Sequence, residues 1–249
     1  MNKIGIIGGS GLDDPDLLKD AHEEKIITPF GEPTSPLICG RVDGVEVMIL
    51  ARHGRKHERS PTEVNYRANI HALKEMGATH ILATTACGSL KEEIDRGHFV
   101  ILDQFIDFTR KRDNTFFDSF DGLDMSAHTP MADPFDEGLR RILLQCAEEM
   151  ALNCHPRGTV VTIEGPRFST RAESRMFQAW GADVINMSIS TEAILAREVE
   201  IPYAAVAMST DYDCWKEDEE VVTWKEIMEV FNNNAAKVKQ LLLTAVTRI

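Results

Sequence analysis

Lys3-Ile4-Gly5-Ile6-Ile7-Gly8-Gly9 is a continuous apolar run that ends in glycines, and Ser10-Gly11 follows it. Similar runs recur along the chain without alternating between apolar and polar residues. Continuous hydrophobicity is typical of strands that are covered on both faces. The pattern therefore predicts strands at residues 3–9, 45–51, 80–85, 99–108, 159–164, 183–187 and 203–209.

Amphipathic stretches lie between these runs and predict helices at residues 63–76, 137–151, 171–180, 192–198 and 224–246. The chain has 249 residues without an internal repeat or a Pro/Ser-rich linker, so we expect one domain over residues 1–249. Helices that alternate with strands predict an α/β fold in which helices flank a mainly parallel or mixed, twisted β-sheet. In such folds ligands bind at the loops that follow the strands.

Composition excludes several classes of function. The formal net charge of −13 argues against a nucleic-acid partner, because such binding depends on Lys and Arg that neutralise phosphates. No run of about twenty apolar residues is present, so no membrane span is expected. The N-terminus lacks a signal-peptide pattern, and we expect a cytoplasmic protein. The five cysteines contain no Cys-x-x-Cys pair, which argues against a zinc site, and Cys87 is interpreted as a buried thiol rather than a nucleophile.

Three loops after predicted strands carry residues suited to an anion. Gly8-Gly9-Ser10-Gly11 can present backbone N–H groups to a phosphate, or it is a tight turn. It fails the dinucleotide-binding fingerprint because Asp14 stands where the last glycine is required. Arg52 and His53 follow a buried strand, a position that favours an anion site over a solvated basic loop. Thr84-Thr85-Ala86 either completes a phosphate cradle or serves only as a strand end.

Two further segments suit a flat ligand and a leaving group. Phe168 follows a strand that breaks at Gly165-Pro166, and it either stacks on such a ligand or packs as a core aromatic. Asp211 and Asp213 follow the last predicted strand. In a dry pocket, burial and mutual repulsion raise the pKa of one such carboxyl, which can then donate a proton. The alternative is an ordinary acidic loop or N-cap.

Together these segments resemble the trimeric purine nucleoside phosphorylases over nearly the whole chain. The resemblance rests on residues 6–13, 50–55, 84–89, 164–169 and 210–215, which stand in the family's order. It implies the nucleoside phosphorylase fold and the phosphorolysis of a nucleoside, most closely S-methyl-5'-thioadenosine, in purine and methionine salvage. It also implies inorganic phosphate as the co-substrate, a homotrimer, no cofactor and no metal.

The resemblance implies a role for each matching residue. Phosphate is expected at Ser10, Arg52, His53, Thr85, the backbone N–H of Ala86, and Ser188. The nucleoside is expected to contact Met187 at the ribose, Phe168 and Ser169 at the purine, and Asp211 and Asp213 at the purine edge, with Asp211 as the proton donor. The 5' end is expected near Trp224, Ile227 and Met228, completed by His128 of a neighbouring subunit.

The residues expected at the purine edge distinguish a 6-aminopurine from a 6-oxopurine. Carboxylates accept hydrogen bonds, so Asp211 and Asp213 suit a 6-amino group better than a 6-oxo group. Family members that act on 6-oxopurines carry Asn at position 211 and Glu at position 169, whereas this chain has Asp211 and Ser169. Adenine is therefore favoured, and the resemblance implies methylthioadenosine as the nucleoside that carries it. The alternatives are a phosphorylase of adenosine or 6-oxopurine nucleosides and, more remotely, a non-catalytic nucleotide-binding protein.

The sequence departs from the family at two places. Ile189-Ser190-Thr191-Glu192 lacks the proline that the family usually carries, which affects how the following helix enters the site. Trp224 replaces a small apolar residue at the 5' end, where its side chain either lines the pocket or partly fills it.

Overall fold

The computed structural model describes residues 2–8, 17–119, 128–218 and 223–249. In these ranges eleven strands form one mixed sheet, and five α-helices pack against it. The strands are β1 (Lys3–Gly8), β2 (Lys19–Glu24), β3 (Leu37–Val42), β4 (Val45–Ala51), β5 (His80–Ser89), β6 (Phe99–Ile101), β7 (Gln104–Phe108), β8 (Cys154–His155), β9 (Thr159–Ile163), β10 (Val184–Asn186) and β11 (Tyr203–Tyr212). The helices are α1 (Tyr66–Glu75), α2 (Glu137–Glu149), α3 (Arg171–Ala179), α4 (Ile189–Glu198) and α5 (Trp224–Val246).

Strand β5 joins the parts of the sheet because it pairs with three other strands. Its first half pairs in parallel with β1, ending where Ile7 lies opposite Ala83. Its last two residues, Gly88 and Ser89, pair antiparallel with β10. β11 runs parallel along the other edge of β5. Residues 84–87 therefore have a strand partner only on the β11 side among the described residues, and the sheet opens on the opposite side.

Successive residues of the central strands point into two different apolar clusters. Ile7 belongs to the cluster that also contains Leu73 of α1, whereas Ile6 belongs to the cluster that contains Leu143 of α2 and Leu241 of α5. Both faces of the sheet are thus covered by helices, which explains the continuous hydrophobicity of the strands. The predicted single-domain α/β fold with a mixed sheet flanked by helices is confirmed.

The prediction of one strand over residues 99–108 is wrong. β6 pairs with β11 and β8, whereas β7 pairs with β9 in another part of the sheet. The chain leaves β6 at Leu102, whose carbonyl accepts a hydrogen bond from Nε of the buried Arg140 at 2.9 Å. Both strands are apolar, so the hydrophobic pattern does not mark the break between them.

Other boundaries also differ from the predictions. β2 is a charged, exposed strand at the edge of the sheet and β8 has only two residues, so neither has an apolar signal. β3, which pairs with β4, was also missed. α4 begins at Ile189 rather than at residue 192, because Ser188 is its N-cap. No described helix is long and apolar enough to cross a membrane.

Candidate active site

A cleft of about 180 Å³ lies where the sheet opens beside residues 84–87. Its walls come from the ends of β5 and β11, from the segments that follow β4, β9 and β10, and from the first turns of α5. Such openings at strand ends are the usual place for ligands in α/β folds. The lining residues are Arg52, His53, His57, Pro61, Thr84, Thr85, Ala86, Cys87, Gly88, Ile163, Phe168, Ser169, Ile185, Asn186, Met187, Ser188, Thr210, Asp211, Asp213, Ile227, Met228 and Phe231.

The two aspartates lie beside Gly88, at the end of β5. The register of β11 against β5 shifts between Ser209 and Asp211, so that Asp211 lies opposite Gly88. Such an extra residue in a strand redirects the side chains that follow it. A Cβ at position 88 would lie 3.3 Å from Oδ2 of Asp211 and 3.5 Å from Cβ of Asp213. Glycine at this position lets both aspartates approach the strand closely.

The surroundings of Asp211 make it a candidate acid. Burial raises the pKa of Asp211 to about 7; the hydrogen bond that the Thr210 hydroxyl donates to Oδ1 at 2.7 Å opposes this shift, and the charge of Asp213 reinforces it. A carboxyl with this pKa holds a proton in a large fraction of molecules near neutral pH and can donate it.

Asp213 is fixed by a different set of contacts. It is buried, and its Oδ2 accepts a hydrogen bond from the Ser169 hydroxyl at 2.6 Å. Its backbone N–H donates to the Ser89 carbonyl at 2.9 Å. Because a carboxylate has several acceptor positions, Asp213 keeps the capacity to accept a hydrogen bond from a ligand.

Arg52 and His53 both line the cleft, and the anion site expected at them stays a prediction. Arg52 is buried, and its Nη1 donates to the Thr84 carbonyl at 2.8 Å. Burial and the neighbouring charge of Arg52 lower the pKa of His53 to about 4, so its ring is neutral near pH 7. Its Nδ1 lies 3.0 Å from the Arg59 carbonyl, which leaves Nε2 as an acceptor. His53 therefore suits a phosphate oxygen that carries a proton.

The two polar groups of the cleft meet β5 at different positions along the strand. Arg52 contacts Thr84, whereas Asp211 lies opposite Gly88, four residues further along the strand. At about 3.3 Å per residue this separation is about 13 Å. An anion at Arg52 and a leaving group at Asp211 can therefore belong to one extended reaction complex.

The wall between these groups is polar and ordered. The Thr85 hydroxyl donates to the Ala86 carbonyl at 2.9 Å and accepts from Nδ2 of Asn186 at 3.3 Å. Ser188, the N-cap of α4, is buried but makes no capping hydrogen bond with its side chain. A helix N-terminus carries partial positive charge, so the start of α4 favours an anion in this part of the cleft.

Met187 and Phe168 are placed by the loop after β9. Gly165 has a positive φ of 70°, and a Cβ there would lie 2.5 Å from Sδ of Met187. The carbonyl of Met187 accepts a hydrogen bond from Nη2 of Arg112 at 3.0 Å. Phe168 lines the cleft and is 51% exposed, so it is not a core aromatic. Its ring is accessible to a flat ligand.

The remaining predicted residues have different outcomes. Ile227 and Met228 line the cleft from α5, and their contact with the 5' end of a nucleoside stays a prediction. Ser10 and the side chain of Trp224 lie outside the described residues. His128 is exposed and is not among the residues that line the cleft of its own chain.

Some residues that line the cleft or lie directly behind it were not predicted. Phe231 lies one helical turn after Ile227 on the same face of α5, so helical spacing could have indicated it. Glu192 contacts Arg52 across 140 positions of sequence, and no local signal could have indicated that pair. Within the described ranges, no three His, Cys, Asp or Glu side chains are grouped as a metal site.

Comparison with known proteins gives one consistent family. The model of the phosphorylase superfamily matches residues 3–247. The chain is 54% identical to S-methyl-5'-thioadenosine phosphorylase of Danio rerio, with 99% of this chain and 89% of that protein covered. It is 51% identical to the protein of the same name from Drosophila melanogaster, with 99% and 86% covered.

Two solved structures from Schistosoma mansoni also match. Methylthioadenosine phosphorylase in complex with adenine has a TM-score of 0.93 at 45% identity, with 99% of this chain and 91% of that chain covered. A mutant of adenosine/methylthioadenosine phosphorylase in complex with methylthioadenosine has a TM-score of 0.92 at 45% identity, with the same coverage.

Proposed function

This chain belongs to the phosphorylase superfamily, and we propose that it cleaves S-methyl-5'-thioadenosine with inorganic phosphate to adenine and 5-methylthioribose 1-phosphate. The observation that carries the proposal is that Asp211 and Arg52 line the same cleft, where burial raises the pKa of the Asp211 carboxyl to about 7. A nucleoside phosphorylase needs an anion site on one side of the glycosidic bond, for phosphate, and a proton donor on the other side, for the purine. Relatives and solved structures named for this activity support the choice of substrate.

The reaction follows from the two ends of the cleft. Phosphate is already an anionic nucleophile, so it needs positioning against C1' more than activation. Arg52, His53, Thr85 and Ser188 are the candidates for that role, together with the N–H of Ala86. As the bond between C1' and N9 breaks, the sugar becomes oxocarbenium-like and the purine gains negative charge. Asp211 then donates its proton to N7 of the purine, and a phosphate oxygen forms the new bond to C1'.

The acidic pair also accounts for the choice of purine. A 6-amino group donates hydrogen bonds and matches the acceptor oxygens of Asp213, whereas a 6-oxo group would place an acceptor against an acceptor. A mismatch of buried polar groups can lower kcat/KM for the wrong substrate by several orders of magnitude. Phe168 is proposed to stack on the purine, and the apolar side chains of Ile227, Met228 and Phe231 to contact the 5'-methylthio group.

Further parts of the proposal concern the working state of the protein. We propose a homotrimer in which His128, which is exposed, reaches the cleft of the next subunit. The protein is proposed to act in the cytoplasm, in purine and methionine salvage. It needs no cofactor or metal in this proposal, since phosphate supplies the nucleophile and Asp211 the proton.

Initial rates on four nucleosides test the proposed function. Methylthioadenosine, adenosine, methylthioinosine and inosine are each assayed with and without phosphate. Methylthioadenosine is expected to react fastest, to release adenine, and to require phosphate. Equal or faster cleavage of inosine would contradict the role of the acidic pair. Absence of phosphate-dependent adenine release would overturn the function itself.

A further inference from the structure

Glu192 is a carboxylate that the proposed reaction does not use, although it lies directly behind the cleft. Its side chain is 0% exposed. Oε1 accepts a hydrogen bond from Nε of Arg52 at 2.5 Å, and Oε2 accepts from Nη2 of the same guanidinium at 3.0 Å. Oε2 also accepts from the buried Tyr203 hydroxyl at 2.8 Å. Glu192 and Arg52 thus form a bidentate ion pair, and the Tyr203 hydroxyl donates a third hydrogen bond to the carboxylate.

Stability alone does not explain such a pair. Removing two charges from water costs several kcal/mol for each ion, and well-packed apolar side chains often replace a buried ion pair without loss of stability. A benefit other than stability is therefore the more economical explanation of a fully buried Glu–Arg pair at the wall of a cleft.

The hydrogen-bond inventory of Arg52 indicates that benefit. A guanidinium has five N–H donors. Two N–H groups of Arg52 donate to Glu192, and a third donates to the Thr84 carbonyl. One N–H on each Nη atom is left, and Arg52 lines the cleft. Because the guanidinium is planar, fixing its Nε and Nη2 edge also fixes the direction of the remaining donors.

The position of Glu192 on α4 links it to the anion end of the cleft. Ser188 and Glu192 are four residues apart and so lie on one face of the start of the helix. α4 thus places both its own N-terminus and the carboxylate that orients Arg52 at this end. Glu192 also neutralises Arg52, so that an empty cleft does not contain an unpaired buried cation.

We propose that Glu192 is the positioning residue that holds the guanidinium of Arg52 in the orientation that binds phosphate, and that Tyr203 holds Glu192 in turn. The inference rests on the proposed function, since it assigns phosphate to Arg52. Glu192 itself does not contact substrate in this proposal. Its removal is therefore expected to weaken phosphate binding and to leave the purine end of the cleft unchanged.

Steady-state kinetics of Glu192→Gln tests this role. In Gln the amide NH2 replaces one of the two acceptor oxygens. Arg52 therefore loses one of its two hydrogen bonds to this side chain. The KM for phosphate is expected to rise by about tenfold or more, as for residues that orient metal ligands. The KM for methylthioadenosine at saturating phosphate and the Kd for adenine by calorimetry are expected to change less than about twofold, a difference too small to count as a lost contact.

Two further variants make the test specific. Tyr203→Phe keeps the ring but removes the hydroxyl, so it is expected to raise the KM for phosphate in the same direction and by less. Glu149→Gln is the matched control, because Glu149 forms a bidentate ion pair with Arg248 outside the cleft. That variant is expected to leave both KM values unchanged.

The possible results separate this role from the proposed function. A folded Glu192→Gln with an unchanged KM for phosphate, or with equal losses for phosphate and adenine, would overturn the positioning role. Where Glu192→Gln does not fold, an unchanged KM for phosphate in Tyr203→Phe would overturn it. Wild-type protein without phosphate-dependent cleavage would instead overturn the proposed function.

Discussion

Asp211 and Asp213 have the same side-chain chemistry but different surroundings. Thr210 donates a hydrogen bond to Asp211, whereas Ser169 donates to Asp213. Burial raises the pKa of Asp211 to about 7, which makes it the candidate for the residue that carries the proton. In the proposed reaction, the acceptor that faces a 6-amino group is then Asp213. One cleft thus combines a proton donor and a hydrogen-bond acceptor from two carboxyl groups.

The role of Asp211 as the acid predicts the pH dependence of the reaction. As pH rises through about 7, the protonated fraction of Asp211 falls, and kcat/KM for methylthioadenosine is expected to fall with it. Asp211→Asn should lower kcat/KM by about a hundredfold or more, the usual contribution of a general acid. Profiles at saturating phosphate for both enzymes are the measurement. The titration of phosphate affects the two enzymes equally. If kcat/KM of Asp211→Asn fell with pH as much as that of wild type, the role of Asp211 as the acid would be contradicted.

The same pKa predicts a change in stability. Asp211 has a pKa of about 7 in the folded protein against an ordinary value of 3.8, so the folded state binds the proton more tightly. Its contribution to the free energy of unfolding is fully present below 3.8 and is lost as pH rises through about 7. Asp211→Asn removes this loss. The Tm of Asp211→Asn minus the Tm of wild type, both measured by calorimetry, should therefore be more positive at pH 8 than at pH 5. The same difference in Tm at both pH values would contradict the raised pKa.

Residue types indicated these side chains in the sequence, but not their partners. Two aspartates after an apolar strand predicted a raised pKa for one of them. Only the family resemblance implied that it is Asp211; the residue pattern alone did not distinguish the two, since the answer depends on the extra residue in β11 and on Gly88, which lies more than a hundred positions away in sequence. Glu192 was predicted only as part of a helix, because nothing local indicates that Arg52 contacts it.

At the scale of elements, helix starts place several cleft residues. α4 begins at Ile189, directly after its N-cap Ser188, which lines the cleft, and α5 carries Ile227, Met228 and Phe231 into the cleft from its first turns. The start of α5 is fixed by a capping box, in which Thr223 and Glu226 satisfy each other's backbone N–H groups. Apolar periodicity predicted α5, but it did not show which side of the cleft the helix covers.

Removal of the α5 cap is expected to affect the nucleoside more than phosphate. Thr223→Ala removes the side-chain acceptor for the N–H of Glu226 and should lower the free energy of unfolding by about 1 kcal/mol. Because the first turns of α5 carry Ile227 and Met228, the KM for methylthioadenosine should rise while the KM for phosphate stays unchanged. Asp136→Ala, which removes the cap of α2, is the matched control. A rise in both KM values for Thr223→Ala would show that the cap acts on the whole cleft.

At the scale of the whole molecule, the cleft exists because the sheet opens at β5. β1 leaves the edge of β5 at Ala83 and β10 joins it at Gly88, so distant segments of the chain meet at the gap. The layers of the fold could be predicted from apolar runs and amphipathic helices. The pairing of β5 with both β10 and β11 could not, since it depends on contacts between residues far apart in sequence. The charged edge strand β2 was missed for a simpler reason: it buries almost no apolar surface.

A trimer in which His128 completes a neighbouring cleft predicts complementation between subunits. His128→Ala and Asp211→Asn are each expected to be poorly active with limiting methylthioadenosine. Co-expressed with different tags and purified as mixed trimers, they should regain activity in about one cleft in three, where an intact Asp211 meets an intact His128 from the neighbour. The matched control pairs Asp211→Asn with Asp213→Asn; since both residues line the cleft of the same chain, no mixed trimer can contain an intact pair. If the first mixture stays as inactive as the control, His128 does not act across subunits.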